Sequence, residues 1–321
     1  MSVRILLGDC RTVLASLPAA SVHCCVTSPP YFGLRDYGMA AQIGLEQTPD
    51  AFVAELVAVF RDVRRVLRDD GTLWLNLGDS YFSTTATQGR NEDKARGSIA
   101  STKSLVEQGA KTYRRDGCGL KQKDLIGIPW RVAFALQADG WYLRQDIIWS
   151  KPNPMPESVR DRCTKAHEYV FLLSRSARYF YDAAAISEAA NCPEGPGNFA
   201  TGKHAHAATG IYVEGAQTNL AKIGARDTRN KRSVWTIATQ PYSKAHFATM
   251  APELAETCIK AGCPVGGTVL DPFGGAGTTG LVADRLQRSA ILIELNPAYS
   301  EIASKRITGD APLFADVGIA A

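Results

Sequence analysis

Short apolar runs rich in Val, Ile and Leu recur along the chain, separated by segments whose apolar positions return every three or four residues. That alternation predicts an α/β fold with a mainly parallel sheet. The predicted strands are "VRILLGD" (3–9), "HCCVTS" (23–28), "TLWLNL" (72–77), "YLRQDIIWS" (142–150), "YVFLLSR" (169–175), "TVLDPF" (268–273) and "AILIEL" (290–295). Phe52, Leu56, Val59, Val63 and Val66, with Phe60 and Leu67 beside them, keep helical spacing and predict a helix on the sheet that stops at "DDG". Asn296 followed by Pro297 reads as an N-cap and a first-turn proline, opening a helix through Ile302 and Ile307.

Two stretches break this rhythm. Residues 83–124 and 190–233 are polar, Gly-rich and richer in Lys/Arg than in Asp/Glu. Loops that long inside a compact domain are functional or disordered. They divide the chain into residues 1–189, carrying the basic loop 83–124, an insert at 190–233, and residues 234–321. There is no internal repeat.

Composition narrows the class. At 321 residues, 45% hydrophobic and 21% charged, the chain has globular usage and length for a sizeable core. No stretch of about 18 uncharged apolar residues is present, and Arg4 and Asp9 fall where a signal peptide needs an apolar core, so a cytoplasmic protein is expected, with no membrane partner. Eight scattered cysteines without a CxxC pair predict reduced thiols and no metal. His204 and His206 lack a third ligand at sensible spacing and read as a solvated loop. A net charge of +4 is compatible with a polyanionic partner without requiring one.

"TVLDPFGGAGTTG" is a strand, a glycine-rich turn and a helix start, and "GAGTTG" (275–280) fits the dinucleotide pattern. Gly274, Gly275 and Gly277, with Thr278 and Thr279, form a turn on which a cofactor can lie. The next strand ends at Glu294, where a carboxylate would grip a ribose diol. These residues alone fit a nicotinamide oxidoreductase or an enzyme of another adenosine-containing cofactor. Asp271, two residues before Phe273, favours a ligand that carries an ammonium group over a pyrophosphate, which it would repel. S-adenosylmethionine carries such a group.

The second signature is "TSPPY" (27–31), in which an apolar run stops at a hydroxyl, two prolines and an aromatic ring. Paired with "DPFGGAGTTG" (271–280), it resembles the exocyclic-amine DNA methyltransferases of the permuted β class, in which the catalytic motif precedes the cofactor loop. The similarity extends through "GDC" (8–10), "GTLWLNLGDSY" (71–81), "IIWSKPNPMPESVRDRCTKAHEYVFLLSRSARYFYD" (147–182), "HFATMAPELAETCIKAGCP" (246–264) and "IELNPAYSEIA" (293–303). Only the two long basic segments fall outside it.

The resemblance implies a three-layer Rossmann-like methyltransferase fold with a seven-stranded sheet, and a monomer or homodimer that acts on double-stranded DNA with S-adenosylmethionine. The strand at 268–273 should lie centrally, beside the one that ends at Ser28. Ser28, Pro29, Pro30 and Tyr31 are the implied catalytic residues. An exocyclic amine is a poor nucleophile because its lone pair is delocalised into the ring. Hydrogen bonds from its two N–H groups to the Ser28 side-chain oxygen and the Pro29 carbonyl would localise and aim that pair, while the prolines fix the backbone. Tyr31 would stack on the flipped-out base.

Asp9, Phe247, Thr249 and Asn296 fall at family positions near the cofactor, with Asp9 beside the adenine and Phe247 and Thr249 toward the methionine end. A strand-end cap for Asp9 and a core role for Phe247 are the structural alternatives. His167, Glu168, Lys151, Pro152 and Asn153 match a segment near the base pocket, and Asn76 and Asp79 follow a strand on the same side. Arg114 and Arg115 in one basic segment, and Lys222, Arg226, Arg229, Lys231 and Arg232 in the other, are candidate phosphate contacts. The segment 190–233 is the expected target-recognition insert. C5-cytosine methylation needs a Pro-Cys nucleophile that this chain lacks, and Cys24 and Cys25 read as buried thiols. In this family a serine before the prolines goes mostly with N4-cytosine, and Asp or Asn with N6-adenine. N4-cytosine is therefore the expected target and N6-adenine the alternative.

Overall fold

The computed structural model describes residues 1–39, 41–83, 119–190, 227–240, 242, 249–310 and 316–320, together with the backbone of 85–87 and 112–114. The chain divides into two compact units, Met1–Tyr181 with Ser233–Ala321, and Asp182–Arg232.

The larger unit is built in chain order from β1 (Ser2–Leu7), α1 (Cys10–Ser16), β2 (Val22–Thr27), α2 (Pro49–Val66), β3 (Leu67–Leu77), β4 (Thr85–Thr87), β5 (Thr112–Arg114), α3 (Ile128–Ala138), β6 (Tyr142–Ser150) and β7 (His167–Ser174). The smaller unit contributes β8 (Glu188–Ala189) and β9 (Thr228–Arg229). The larger then resumes with β10 (Val234–Thr236), α4 (Pro252–Gly262), β11 (Thr268–Asp271), α5 (Thr278–Arg285), β12 (Ser289–Glu294), α6 (Pro297–Asp310) and β13 (Asp316–Ala320).

Nine of these strands form one sheet, in the order β10-β6-β7-β3-β2-β11-β12-β1-β13. All seven strands predicted from the sequence occupy its middle. β10 and β13 extend the two edges. They escape the sequence pattern because one has three residues and the other is a largely exposed Asp-Val-Gly-Ile-Ala run. β7 runs antiparallel to both β3 and β6, whereas the remaining neighbours are parallel.

β11 pairs with β2 through Val269 with Cys24 and Leu270 with Cys25. The ends of these two strands therefore lie side by side, although 244 positions separate Thr27 from Asp271. Carboxyl ends of parallel strands at such a crossing are where open α/β sheets hold their ligands.

Alternation along β2 and β3 sends Cys25, Leu73 and Leu75 into a core shared with Leu14 of α1, Phe52, Leu56, Phe60 and Val63 of α2 and Val132 and Leu136 of α3. Cys24, Thr72 and Trp74 face the other way, so close to Gly262 at the end of α4 that a Cβ there would meet all three within 2.9 Å. The result is a sheet between two helical layers. Burial raises the pKa of the Cys24 and Cys25 thiols, and both sit inside the packing as structural groups.

α2 begins where Thr48 accepts a hydrogen bond from the Ala51 amide and Pro49 takes the first turn. It ends at Val66, before the "DDG" expected to stop it. Ala20 and Ser21 donate their amides to the carbonyls of Arg65 and Val66, and the chain enters β3 at once. Among the described residues, no helix is long and apolar enough to cross a membrane.

Candidate active site

β2 ends at the buried Thr27, and Ser28, Pro29 and Pro30 follow beyond the sheet. Two consecutive residues without N–H groups cannot extend the ladder, so the chain leaves it there. It returns over itself, with the Gly33 amide donating to the Gly44 carbonyl at 2.7 Å. Gly44 holds a φ of +110°, and a side chain there would also crowd Pro30.

Tyr31 is fixed by shape and by hydrogen bonding. Its ring lies on Gly78, where an added Cβ would come within 2.5 Å of Cε2. Its hydroxyl donates to Glu168 Oε2 at 2.6 Å and accepts from Ser28 Oγ at 3.4 Å. Burial, followed by the Glu168 charge, pushes the phenol pKa well above its ordinary value, so Tyr31 keeps its proton.

Glu168 is a meeting point for the neighbouring strands. Asn76 on β3, only 3% exposed, donates Nδ2 to Glu168 Oε2 at 3.0 Å and to the Tyr169 carbonyl at 3.2 Å. Lys151, which follows β6, pairs its Nζ with Glu168 Oε1 and lies 4.3 Å from the Trp149 ring centroid. The ion pair is largely shielded, with side chains 17% and 15% exposed, and the extra donors supply the pairing that a buried carboxylate requires.

The second half of the site is the glycine loop after β11. Asp271 is 4% exposed and accepts three hydrogen bonds, from Thr27 Oγ1 at 2.6 Å, the Phe273 amide at 3.0 Å and Thr279 Oγ1 at 2.7 Å. Burial raises its pKa, and these donors oppose the rise. Gly274 approaches β12 and donates its amide to the Ile293 carbonyl at 2.8 Å. Gly277, at φ +76°, opens α5 against α6, where a side chain would come within 2.8 Å of Ala303 Cβ. Thr278 accepts from Arg306 at 2.9 Å.

Glu294 ends β12 with its carboxylate spanning two backbone amides, Gly275 at 2.7 Å and Asn296 at 2.8 Å. Burial raises its pKa. Asn296 caps α6 through the Ala298 amide at 2.9 Å, as its place before Pro297 predicts.

Asp9 also acts as a cap: it accepts the Arg11 amide at 2.9 Å at the start of α1 and binds the Arg11 guanidinium at 2.6 Å. The arginine holds its carboxyl below the ordinary value. Gly8, next to it, donates to the Glu294 carbonyl at 2.9 Å, so the ends of β1 and β12 adjoin.

Asp79 turns its Oδ1 to the amides of Ser80, Gly127 and Ile128, which fixes the entrance to α3. Asn153 pairs with Thr239 in both directions, and His167 packs edge-on against Tyr169. In the smaller unit Glu188 accepts Arg229 at 2.9 Å and Arg232 at 2.6 Å, while Lys231 is half-buried. Phe247, Arg115, Lys222, Arg226, His204, His206 and the side chain of Arg114 lie outside the described residues.

The sequence reading missed a cluster around Glu294. Tyr37 and Tyr299 meet edge to face at 6.5 Å. Burial raises both phenols, Tyr299 up to about 12, with the Glu294 charge adding to each. A pair of tyrosines so far apart in sequence carries no local signal. The end of β2 thus carries a serine hydroxyl and a fixed aromatic ring, and the glycine loop beside it is anchored by the buried Asp271 and the half-buried Glu294.

Comparisons with known proteins bear on the family and the fold. A family model described as DNA methylase matches residues 22–305. The type II methyltransferase M.SmaI of Serratia marcescens is 46% identical over 306 residues, covering 95% of this chain and 91% of its own length. M.XycI of Xanthomonas campestris pv. cyanopsidis, also a type II methyltransferase, is 47% identical over 302 residues, covering 94% of this chain and 86% of its own. Among solved structures, a putative DNA modification methylase of Thermus thermophilus, in complex with S-adenosyl-L-methionine, matches with a TM-score of 0.59 at 23% identity, over 99% of this chain and 100% of that one. The PvuII DNA methyltransferase, a cytosine-N4-specific enzyme, matches with a TM-score of 0.61 at 18% identity, over 99% and 95%.

Proposed function

This chain belongs to the DNA methylase family, the S-adenosylmethionine-dependent DNA methyltransferases, and from that premise we propose that it methylates the N4 amine of cytosine in double-stranded DNA. The observation that carries the cytosine reading is Ser28 itself. Its hydroxyl donates to Tyr31 and keeps lone pairs to accept an amine N–H, and in this family a serine at this position goes mostly with N4-cytosine.

The chain's residues fit S-adenosylmethionine. Among the described residues, Thr249 Oγ1 is buried without a hydrogen-bond partner, a donor suited to the cofactor's carboxylate. Glu294, held at the mouth of the glycine loop, retains acceptor capacity for a ribose diol. Gly274, Gly275 and Gly277 keep the loop thin enough for close approach, with Phe273 beside it. Asp271 sets the strand end from which that loop departs. The cofactor supplies an electrophilic methyl group. Ser28 and the Pro29 carbonyl accept the two amine hydrogens, Tyr31 supports the ring of the extruded base, and the stiff Pro-Pro backbone keeps the acceptors aimed. Arg229, Lys231 and Arg232, with Lys222, Arg226, Arg114 and Arg115, are assigned to the DNA backbone.

Mass spectrometry of nucleosides from DNA methylated by the protein tests the reading, with N4-methylcytosine as the expected product. N6-methyladenine alone would overturn the cytosine assignment. Ser28→Ala should lower single-turnover methyl transfer by about ten- to a thousand-fold, with DNA and cofactor affinity nearly unchanged.

A further inference from the structure

We propose that Ser28, Tyr31 and Glu168 form a proton relay that carries the proton released by the methylated amine away from the base. The proposal rests on the assignment of Ser28 as the amine's acceptor. It adds a route through two further side chains, whose hydrogen bonds run in one direction.

Methyl transfer creates a proton that must leave. When the amine nitrogen bonds to the methyl carbon, the carbon–sulfur bond breaks and its electrons stay on sulfur. The nitrogen then carries a positive charge until it loses a hydrogen. A serine hydroxyl is too weak a base to keep that proton, unlike a carboxylate. It can serve only by passing its own proton on as it receives another.

The structure provides that passage. Ser28 Oγ donates to Tyr31 Oη at 3.4 Å, and Tyr31 Oη donates to Glu168 Oε2 at 2.6 Å. Each hydroxyl spends its hydrogen on the next member, and the carboxylate at the end accepts. As the amine hydrogen moves to Ser28 Oγ, the serine proton moves to Tyr31 and the tyrosine proton to Glu168. Serine and tyrosine end as they began, the methylated amine and the sulfide are neutral, and Glu168 is a carboxylic acid. One positive and one negative charge have cancelled.

Glu168 is placed to be reset. Its side chain is 15% exposed, so the proton can reach water after turnover. Lys151 and Asn76 hold the carboxylate in register. Tyr31 touches the base through its ring, while its hydroxyl, at the far end, is free for the relay. Glu168 acts only through Tyr31 and is a positioning and proton-accepting residue one step removed from the substrate.

Single-turnover methyl transfer, with DNA and S-adenosylmethionine saturating, tests the relay in H2O and in D2O. Tyr31→Phe keeps the ring and removes the hydroxyl. Glu168→Gln keeps an acceptor for that hydroxyl and removes the base. Each should slow transfer by about a hundred-fold, the lower end of general acid–base effects, and the double variant should be no slower than the slower single. The wild-type rate should fall in D2O, because a proton moves along the chain during transfer, and both variants should lose that solvent isotope effect. DNA affinity and the fluorescence of 2-aminopurine at the target position should stay at wild-type levels, which a role in stacking alone would not leave untouched.

Full speed in Tyr31→Phe, or an unaltered solvent isotope effect in Glu168→Gln, would overturn the relay. Ser28→Ala in the same assay separates the two claims. If it is slow while Tyr31→Phe is fast, the relay falls and the amine site stands; if Ser28→Ala runs at full speed, the site itself is wrong.

Discussion

The hydroxyl of Thr27 donates to Asp271 Oδ1 at 2.6 Å, joining the residue before Ser28 to the residue that opens the glycine loop. Thr279 holds the other oxygen at 2.7 Å from the first turn of α5. One buried carboxylate therefore fixes the start of the Ser-Pro-Pro-Tyr motif and the loop beside it in a common frame. Thr27→Val is close to isosteric and removes only the donor. It should lower stability by about 1 to 3 kcal/mol in urea denaturation, the usual cost of an underpaired buried group, and slow methyl transfer as well. Unchanged values of both would show that the link holds nothing.

Gly78→Ala should drive the Tyr31 ring off its seat, because the new Cβ would sit 2.5 Å from Cε2 and 2.9 Å from Cδ2. Gly78 is buried but follows β3, whose pairing with β7 ends at Leu77. The expected outcome is a single-turnover rate reduced at least about tenfold, the scale of a small misplacement of reacting groups, with a melting temperature within a few degrees of wild type.

Glu294→Gln should weaken S-adenosylmethionine binding by about tenfold or more, equal to about 1.4 kcal/mol, since an amide presents one acceptor where the carboxylate presents two. Calorimetric titration of the purified protein measures this directly. Asp271→Asn serves as the contrast: its buried carboxylate serves three internal donors against two for Glu294, so its thermal stability should fall further than that of Glu294→Gln.

Asp9 gives a pH-dependent signature. Its pKa lies below the ordinary 3.8 because Arg11 hydrogen-bonds to the carboxylate. A lowered folded-state value means that the stabilisation is present above about pH 3.8 and is lost as the pH falls from there toward the folded value. Asp9→Asn should accordingly be less stable than wild type at neutral pH, and the gap should narrow in acid. Melting curves from pH 7 down to pH 3 test the sign; a constant gap would mean that the ion pair with Arg11 contributes nothing.

Local pattern carried the strands of the central sheet, α2 and the start of α6, because each needs only its own periodicity or cap. α3 left no such mark. Its N-terminal amides at Gly127 and Ile128 are satisfied by Asp79, 48 and 49 positions away, and its Phe134 remains 56% exposed. The same limit applies in the site. Ser28 and the glycine loop announce themselves by unusual backbone chemistry. The role of Glu168 depends on strands β3, β6 and β7 meeting, and that of Gly78 on where a distant ring comes to rest. Chemistry built from proximity is invisible until the sheet order is known.

That order also governs how the protein comes into being. β1 and β2 are made first, yet β11 and β12 lie between them, and β13 pairs with β1. A nascent chain that has already exposed the serine motif must wait with an unfilled gap until residues 268–294 emerge. Late pairing of this kind closes large loops before it gains contacts, which slows folding and leaves strand edges open to the wrong partners. The two halves of the DNA-modifying centre therefore cannot meet until residues 268–294 have been made.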